Sequence, residues 1–103
     1  MLVCQTPLRI SFFGGGTDIP EYYITAPDGG QVISAAIDKS TYVILNRLYR
    51  DQFVCNYTKK ESVSYVEEIE HEYIREVLRH FNVKPGLEIT TLADIPSEGS
   101  GLA

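Results

Sequence analysis

Apolar and polar residues alternate along the first dozen positions of the chain. Between Leu2 and Phe12 the even positions are mostly apolar, whereas Gln5, Arg9 and Ser11 occupy odd ones. An alternation with a period of two is typical of a β-strand with one buried face. The pattern therefore predicts a strand over residues 2–12, with Arg9 on its polar face.

Two runs rich in valine and isoleucine follow, from Gln31 to Ile37 and from Thr41 to Leu48. Such β-branched residues favour strands, and the polar Asp38-Lys39-Ser40 between the runs is typical of a short connection. We therefore expect two neighbouring strands in a hairpin. The first run is apolar on both faces, which indicates an interior position.

The second half of the chain combines short strands with one helix. Phe53 to Tyr57 predicts a strand, Ser62 to Tyr65 a weaker one, and Leu87 to Thr91 a last one. Between them the capping box Ser64-x-x-Glu67 predicts the start of a helix. Its apolar residues form one broad stripe: Ile69, Tyr73, Ile74, Val77, Leu78 and Phe81. This order of elements predicts an α+β fold, with helices packed on a largely antiparallel sheet.

The composition is that of one ordinary globular domain, since 44% of the 103 residues are apolar and 22% are charged. The net charge is −5 and the nine Lys and Arg residues are scattered, which argues against a nucleic-acid partner. We find no signal-peptide pattern and no apolar run of about 20 residues, so we expect no membrane partner and a cytoplasmic location.

Cys4 and Cys55 lack metal-like spacing. They are predicted to be buried free thiols, and no metal site is predicted.

The first strand runs directly into Gly14-Gly15-Gly16 and then Thr17-Asp18. Glycines let the backbone approach a bound molecule closely, and a hydroxyl beside a carboxylate suits the hydroxyl groups of a sugar. Nearby, the guanidinium of Arg9 is suited to a phosphate or to the charge that develops during phosphoryl transfer. A structural alternative is that the glycines only make a tight turn. In that case Asp18 caps a short helix of residues 19–23, with Glu21 completing a capping box.

The last residues of the chain are Gly99-Ser100-Gly101-Leu102-Ala103. A glycine-serine-glycine segment presents backbone amides that bind phosphate when a helix N-terminus follows. Taken alone, such a segment also suits a flexible end. No Walker lysine follows it, which excludes the P-loop class.

Taken together, the segments from Pro7 to Asp18 and from Ile95 to Ala103 resemble the GHMP small-molecule kinases. Within that family, the string from Arg9 to Asp18 and the segment from Ser34 to Lys39 are most like D-glycero-D-manno-heptose 7-phosphate kinases, with fucose kinases next. Galactokinases carry Glu-His where this chain has Gly15-Gly16, which argues against galactose. The resemblance implies the N-terminal portion of a GHMP kinase ATP-binding domain, a two-layer fold like that of ribosomal proteins. By this resemblance, we expect residues 1–103 to form that portion, to end within the phosphate loop and to lack the C-terminal domain.

This resemblance implies phosphorylation of the anomeric hydroxyl of a heptose 7-phosphate or related sugar, with ATP and Mg²⁺ as cofactors. The residues carried over by position are Arg9 for catalysis, Gly15, Gly16, Thr17 and Asp18 for the sugar, and Gly99, Ser100, Gly101, Leu102 and Ala103 for the nucleotide phosphates. The 103-residue chain alone is expected to be inactive. Two alternatives stay open: a fucose-type kinase of the same family, and a non-catalytic module that binds a partner or self-associates through exposed surface.

Overall fold

The fold was determined from a computed structural model, which describes residues 1–96. The elements in chain order are β1 (Leu2–Phe13), a 3-10 turn (Gly15–Thr17), α1 (Pro20–Tyr23), β2 (Ile33–Arg47), β3 (Phe53–Asn56), β4 (Lys60–Val63), a 3-10 turn (Val66–Glu68), α2 (Glu72–His80) and β5 (Leu87–Ala93). The strands form a five-stranded sheet in the order β1-β2-β5-β3-β4. The predicted α+β fold class is therefore confirmed.

The chain divides into two compact units. The first unit holds Met1–Gln5 and Thr41–Leu92, and it contains β3, β4, α2 and nearly all of β5. The second unit holds Thr6–Ser40 together with the described residues from 93 to 96, and it contains the 3-10 turn after β1 and α1. Strands β1 and β2 each contribute residues to both units.

The core of the first unit forms around β3, which pairs antiparallel with β4 and parallel with β5. Alternate residues of β3, Phe53 and Cys55, are fully buried, because successive side chains of a strand point to opposite faces. They cluster with Ile89 of β5, with Leu78 of α2 and with Ile69, which follows the 3-10 turn Val66–Glu68. Burial, followed by the nearby charge of Glu61, raises the pKa of the Cys55 thiol to about 11. This thiol is therefore inert, whereas Cys4 is exposed, contrary to the prediction that both are buried.

The predicted hairpin is wrong, because Ile33–Arg47 is one continuous strand of 15 residues. Asp38 and Ser40 occur often in turns, but the segment contains no glycine, which the common two-residue hairpin turns favour, so it does not require a turn. Ser40 is held in extended chain by Asp94, whose carboxylate accepts from the Ser40 N–H at 2.8 Å and whose own N–H donates to the Ser40 carbonyl at 3.0 Å. The first half of this strand is also not interior, since Ile33 is 65% exposed.

The helix begins later than the capping box Ser64-x-x-Glu67 predicts. The carboxylate of Glu68 accepts from the N–H groups of Ser64 and Tyr65, both at 3.1 Å, and closes the separate 3-10 turn Val66–Glu68. The long helix starts at Glu72, where His71 is the N-cap and its Nδ1 accepts from the N–H of Ile74 at 3.5 Å. Asp18 is likewise not the cap of α1, whose N-cap is Ile19.

The three shorter strands of the second half lie close to their predicted positions. β3 and β5 begin at Phe53 and Leu87, as the sequence predicts, and β4 lies two residues earlier than its weaker pattern indicates. In the part of the chain that the structure describes, no helix has the length and apolar character needed to span a membrane.

Candidate functional site

The glycines after β1 form a tight turn at the start of the second unit. Gly14 has a φ of 82°, a left-handed conformation that favours glycine. A Cβ atom at Gly14 would also collide with the carbonyl oxygen of Gln31. Both backbone conformation and space therefore require glycine here. The 3-10 turn Gly15–Thr17 follows, and the N–H of Thr17 donates to the Gly14 carbonyl at 2.9 Å.

The hydroxyl of Thr17 links this turn to a segment 14 residues further along the chain. Its Oγ1 lies 2.7 Å from the carbonyl oxygen of Gly14 and 3.0 Å from that of Gln31. The same oxygen accepts from the N–H of Gln31 at 3.1 Å. We call this set of hydrogen bonds the Thr17 clasp. It closes the loop that contains α1.

A cavity of about 340 Å³ opens beside the Thr17 clasp, within the second unit, and is lined by Thr17, Asp18, Tyr23, Gly29, Gly30, Gln31 and Val32. Three of these residues carry polar side chains without a hydrogen-bond partner among residues 1–96: the carboxylate of Asp18, the phenol of Tyr23 and the carboxamide of Gln31. Carboxylate, phenol and carboxamide groups together offer both donors and acceptors. The lining is therefore suited to a small molecule with several hydroxyl groups.

The structure brings some of the predicted site residues together and leaves others apart. Thr17 and Asp18 both line the cavity. Gly15 and Gly16 belong to the adjoining 3-10 turn, and the space where a Gly16 Cβ would lie has no other atom within 4 Å. Arg9 is exposed on β1 and does not line the cavity.

The predicted nucleotide phosphate site, Gly99 to Ala103, lies outside the described residues, which end at Pro96. It stays a prediction from the sequence.

Sequence reasoning missed the opposite wall of the cavity. Pro27-Asp28-Gly29-Gly30 indicated only a turn, and Tyr23 and Gln31 had no assigned role. The two adjacent glycines were the available signal, because Gly30 is needed where its backbone meets Thr17: a Cβ there would lie 2.5 Å from the Thr17 carbonyl oxygen. Nothing in the local pattern showed which segment they approach.

A second group of interacting side chains surrounds Glu61 in the first unit. The hydroxyl of Tyr57 donates to one carboxylate oxygen and the N–H of Glu70 to the other, the latter at 2.7 Å. Burial works against the ionised carboxylate, but these hydrogen bonds, another from the backbone of His71 and the charge of His71 outweigh it and lower the pKa of Glu61.

Hydrogen bonding to Glu61, followed by burial, also raises the pKa of Tyr57 to about 12. The ring of His71 meets Tyr57 edge-on, with centroids 4.7 Å apart. These contacts join β3, β4 and the start of α2, so the group supports the first unit.

Solved structures of several kinases have a similar fold, although no family model and no curated protein matches the sequence. A D-glycero-D-manno-heptose 1-phosphate kinase from Bacteroides thetaiotaomicron has a TM-score of 0.76 and 24% identity, over 98% of this chain and 36% of its own. The fold is that of the GHMP kinases.

Two further structures have the GHMP kinase fold in common with this chain. The mevalonate kinase of Methanococcus jannaschii has a TM-score of 0.66 and 18% identity, over 94% of this chain and 33% of its own. Another mevalonate kinase has a TM-score of 0.67 and 20% identity, over 95% of this chain and 34% of its own. The chain thus spans about a third of the length of these kinases. The fold implied by the glycine-rich segments is confirmed.

Proposed function

We propose that this chain is the sugar-binding part of an ATP-dependent sugar kinase with the GHMP fold. The observation that carries the proposal is the cavity of the second unit, where the carboxylate of Asp18 lies beside a glycine turn in a fold that this chain has in common with several kinases. The side chains of Tyr23 and Gln31, which have no hydrogen-bond partner among residues 1–96, supply the opposite wall. A polyhydroxyl substrate matches this lining better than an apolar one.

The substrate we propose is a heptose 7-phosphate, phosphorylated at its anomeric hydroxyl. Two observations support a heptose: the likeness of the Arg9 to Asp18 string to heptose 7-phosphate kinases, and the fold similarity to the Bacteroides kinase, which is named a heptose 1-phosphate kinase. The choice of the 7-phosphate rests on the sequence likeness alone. The competing substrate within the same family is fucose.

In the mechanism we propose, the carboxylate of Asp18 and the guanidinium of Arg9 have separate roles. Phosphoryl transfer depends on positioning and on neutralising charge more than on covalent chemistry. Asp18 accepts a hydrogen bond from a sugar hydroxyl and orients it. Arg9 lies outside the cavity lining, and the family resemblance alone assigns its guanidinium to the negative charge that develops on the transferred group. ATP with Mg²⁺ would supply the phosphoryl group, and the family resemblance assigns Gly99 to Ala103 to binding its phosphates.

A non-catalytic module is the second candidate function. It is favoured by the large apolar side chains exposed in the second unit, among them Phe13 at 74%, Ile24 at 73% and Phe12 at 60%. Exposed apolar surface of this kind is typical of a contact with another polypeptide.

The experiment uses the full polypeptide encoded by the reading frame that contains this chain. Its product is assayed for ADP formation with heptose 7-phosphate, fucose and mevalonate. We expect turnover with heptose 7-phosphate. We expect Asp18→Asn to lower kcat/KM by about 10- to 100-fold, the loss of one or two hydrogen bonds to a charged group.

Asp51→Asn is the matched control, because Asp51 is an exposed carboxylate of the first unit. Its kcat/KM should stay that of the parent. If the polypeptide phosphorylates fucose but neither of the other two compounds, the proposed substrate is fucose and not a heptose. An absence of turnover with all three, together with a stable dimer in light scattering, would support the module instead.

A further inference from the structure

We propose that Thr17 is a positioning residue: the Thr17 clasp fixes the glycine turn against Gln31 and thereby sets where the carboxylate of Asp18 lies. The inference deepens the proposed function and rests on it for the kind of ligand that Asp18 binds. It also revises the role implied by the family resemblance, in which Thr17 binds the sugar directly.

The chemistry of the hydroxyl group argues for this role. A threonine hydroxyl has one proton to donate and two lone pairs. In Thr17 that proton lies within reach of the carbonyl oxygens of Gly14 and Gln31, and one lone pair accepts from the Gln31 N–H. Thr17 therefore cannot donate to a sugar without giving up its hydrogen bond to one of these two carbonyl oxygens.

The backbones on the two sides of the clasp touch closely. A Cβ at Gly14 would collide with the Gln31 carbonyl, and a Cβ at Gly30 would lie 2.5 Å from the carbonyl oxygen of Thr17 and 3.2 Å from its hydroxyl. Each side thus has a glycine at the point of contact. This contact places the Thr17 hydroxyl between the glycine turn and the segment of Gly30 and Gln31, so its hydrogen bonds connect the two segments.

Asp18 depends on the clasp because nothing else in the described chain holds its side chain. Its N–H donates to the Gly15 carbonyl at a long 3.3 Å, and its carboxylate has no partner among residues 1–96. The position of the carboxylate is therefore set by the backbone of Thr17, which the clasp ties to Gln31. Release of the clasp should move Asp18 relative to the opposite wall of the cavity.

The clasp is tested in the 103-residue chain without any sugar, by amide hydrogen exchange and by two-dimensional ¹⁵N NMR spectra. In Thr17→Val we expect the Gln31 amide to exchange at least tenfold faster and the Asp18 amide signal to shift. Thr17→Ser keeps the hydroxyl and should retain both parent values. The matched control is Thr25→Val, since the Thr25 hydroxyl also donates to backbone carbonyls, those of Glu21 and Tyr22, but does not line the cavity. Unchanged exchange at Gln31 and an unshifted Asp18 signal in Thr17→Val would overturn the proposal.

The link to Asp18 is tested by a double-mutant cycle in the full polypeptide, with heptose 7-phosphate as the probe. Thr17→Val alone should lower kcat/KM about tenfold, and Thr17→Ser should restore it. In the Asp18→Asn background, Thr17→Val should lower kcat/KM less than twofold, because residues that act through one another are not additive. A full tenfold loss in that background would show that Thr17 acts on the ligand directly and would overturn the proposal. If no sugar is phosphorylated, the proposed function is wrong, and the sugar-free measurements alone decide whether the clasp positions Asp18.

Discussion

Glu61 shows how one partly exposed carboxylate is kept ionised by its neighbours. The hydrogen bonds from Tyr57 and from the N–H groups of Glu70 and His71 favour the charged form over the neutral one. Because the pKa of Glu61 is lowered from 4.5 in the folded state, its contribution to stability is fully present above pH 4.5. The contribution is lost as the pH falls below 4.5 and through the folded pKa.

We predict a pH-dependent cost for Glu61→Gln. At pH 7 the variant should lose about 1–2 kcal/mol of unfolding free energy, because a neutral amide accepts these hydrogen bonds less strongly than a carboxylate. The gap between parent and variant should narrow as the pH falls below 4.5 and through the lowered pKa of the folded state, where the parent carboxylate becomes protonated. Urea unfolding followed by circular dichroism at several pH values measures this.

Glu67→Gln provides the control for this series, since Glu67 is exposed and has no partner among the described residues. Its unfolding free energy should differ from the parent by less than about 0.5 kcal/mol. A Glu61→Gln variant with the same pH dependence as the parent would contradict the role given to the carboxylate.

The sequence predicted where Thr17 and Asp18 lie, but it did not predict which contacts the Thr17 hydroxyl makes. Thr17 and Asp18 follow three glycines directly, so local reasoning placed both at a candidate site, and both line the cavity. The use of the Thr17 hydroxyl within the protein was not predictable, because Gln31 lies 14 positions away.

Helix α2 buries one side of its predicted apolar stripe and exposes the other. Leu78 is 5% exposed and Val77 is 55% exposed, although the two are neighbours in the sequence. A helix turns by about 100° per residue, so adjacent side chains point in different directions. The sequence correctly predicted an apolar stripe, but the buried part of the stripe is narrower than predicted, since Tyr73 and Phe81 are 80% and 70% exposed.

We therefore predict unequal costs for two alanine substitutions in α2. Leu78→Ala should lower the unfolding free energy by about 2–4 kcal/mol, because it removes buried methyl groups and leaves a cavity beside Phe53 and Ile89. Val77→Ala should change it by less than about 0.5 kcal/mol, since alanine also favours the helix. The midpoints of urea unfolding give both values. Equal losses in the two variants would mean that the burial of Leu78 is wrong.

Strand β2 shows the influence of a distant partner on an element. Asp38-Lys39-Ser40 has the polarity of a connection, yet the strand continues through it. Polarity alone does not bend a chain, whereas a turn needs residues that adopt its backbone angles. The hydrogen bonds between Ser40 and Asp94 satisfy the backbone of the extended form.

At the scale of the whole molecule, the two units differ in how much apolar surface they bury. The first unit has a core around Phe53, Cys55 and Ile69, each no more than 1% exposed. The second unit leaves Phe13 and Ile24 more than 70% exposed. Apolar side chains at this exposure favour contact with further polypeptide.

We predict that the purified 103-residue chain has no kinase turnover with heptose 7-phosphate and ATP, and at most weak ligand binding. The chain spans 36% of the Bacteroides kinase and 33–34% of two mevalonate kinases. A reaction that depends on positioning two substrates needs protein groups that contact each of the two substrates. Coupled detection of ADP measures turnover, with the full reading-frame product as the positive control. Measurable turnover by the chain alone would refute this prediction.

The sequence by itself determined those features that depend on neighbouring residues. The alternation of apolar side chains determined β1 and β5, since it reports directly which face of a strand is buried. The string from Gly14 to Asp18 determined the turn and the polar groups beside it. Both signals lie within a few positions of each other along the chain.

Only the tertiary structure decided the features that depend on segments far apart in the chain. It decided that Asp94 extends β2 through Ser40 and that Gln31 returns to meet Thr17. In both cases hydrogen bonds with a distant residue outweighed a local preference worth less than about 1 kcal/mol per residue. Local patterns do not identify such partners, so the second wall of the cavity emerged only from the fold.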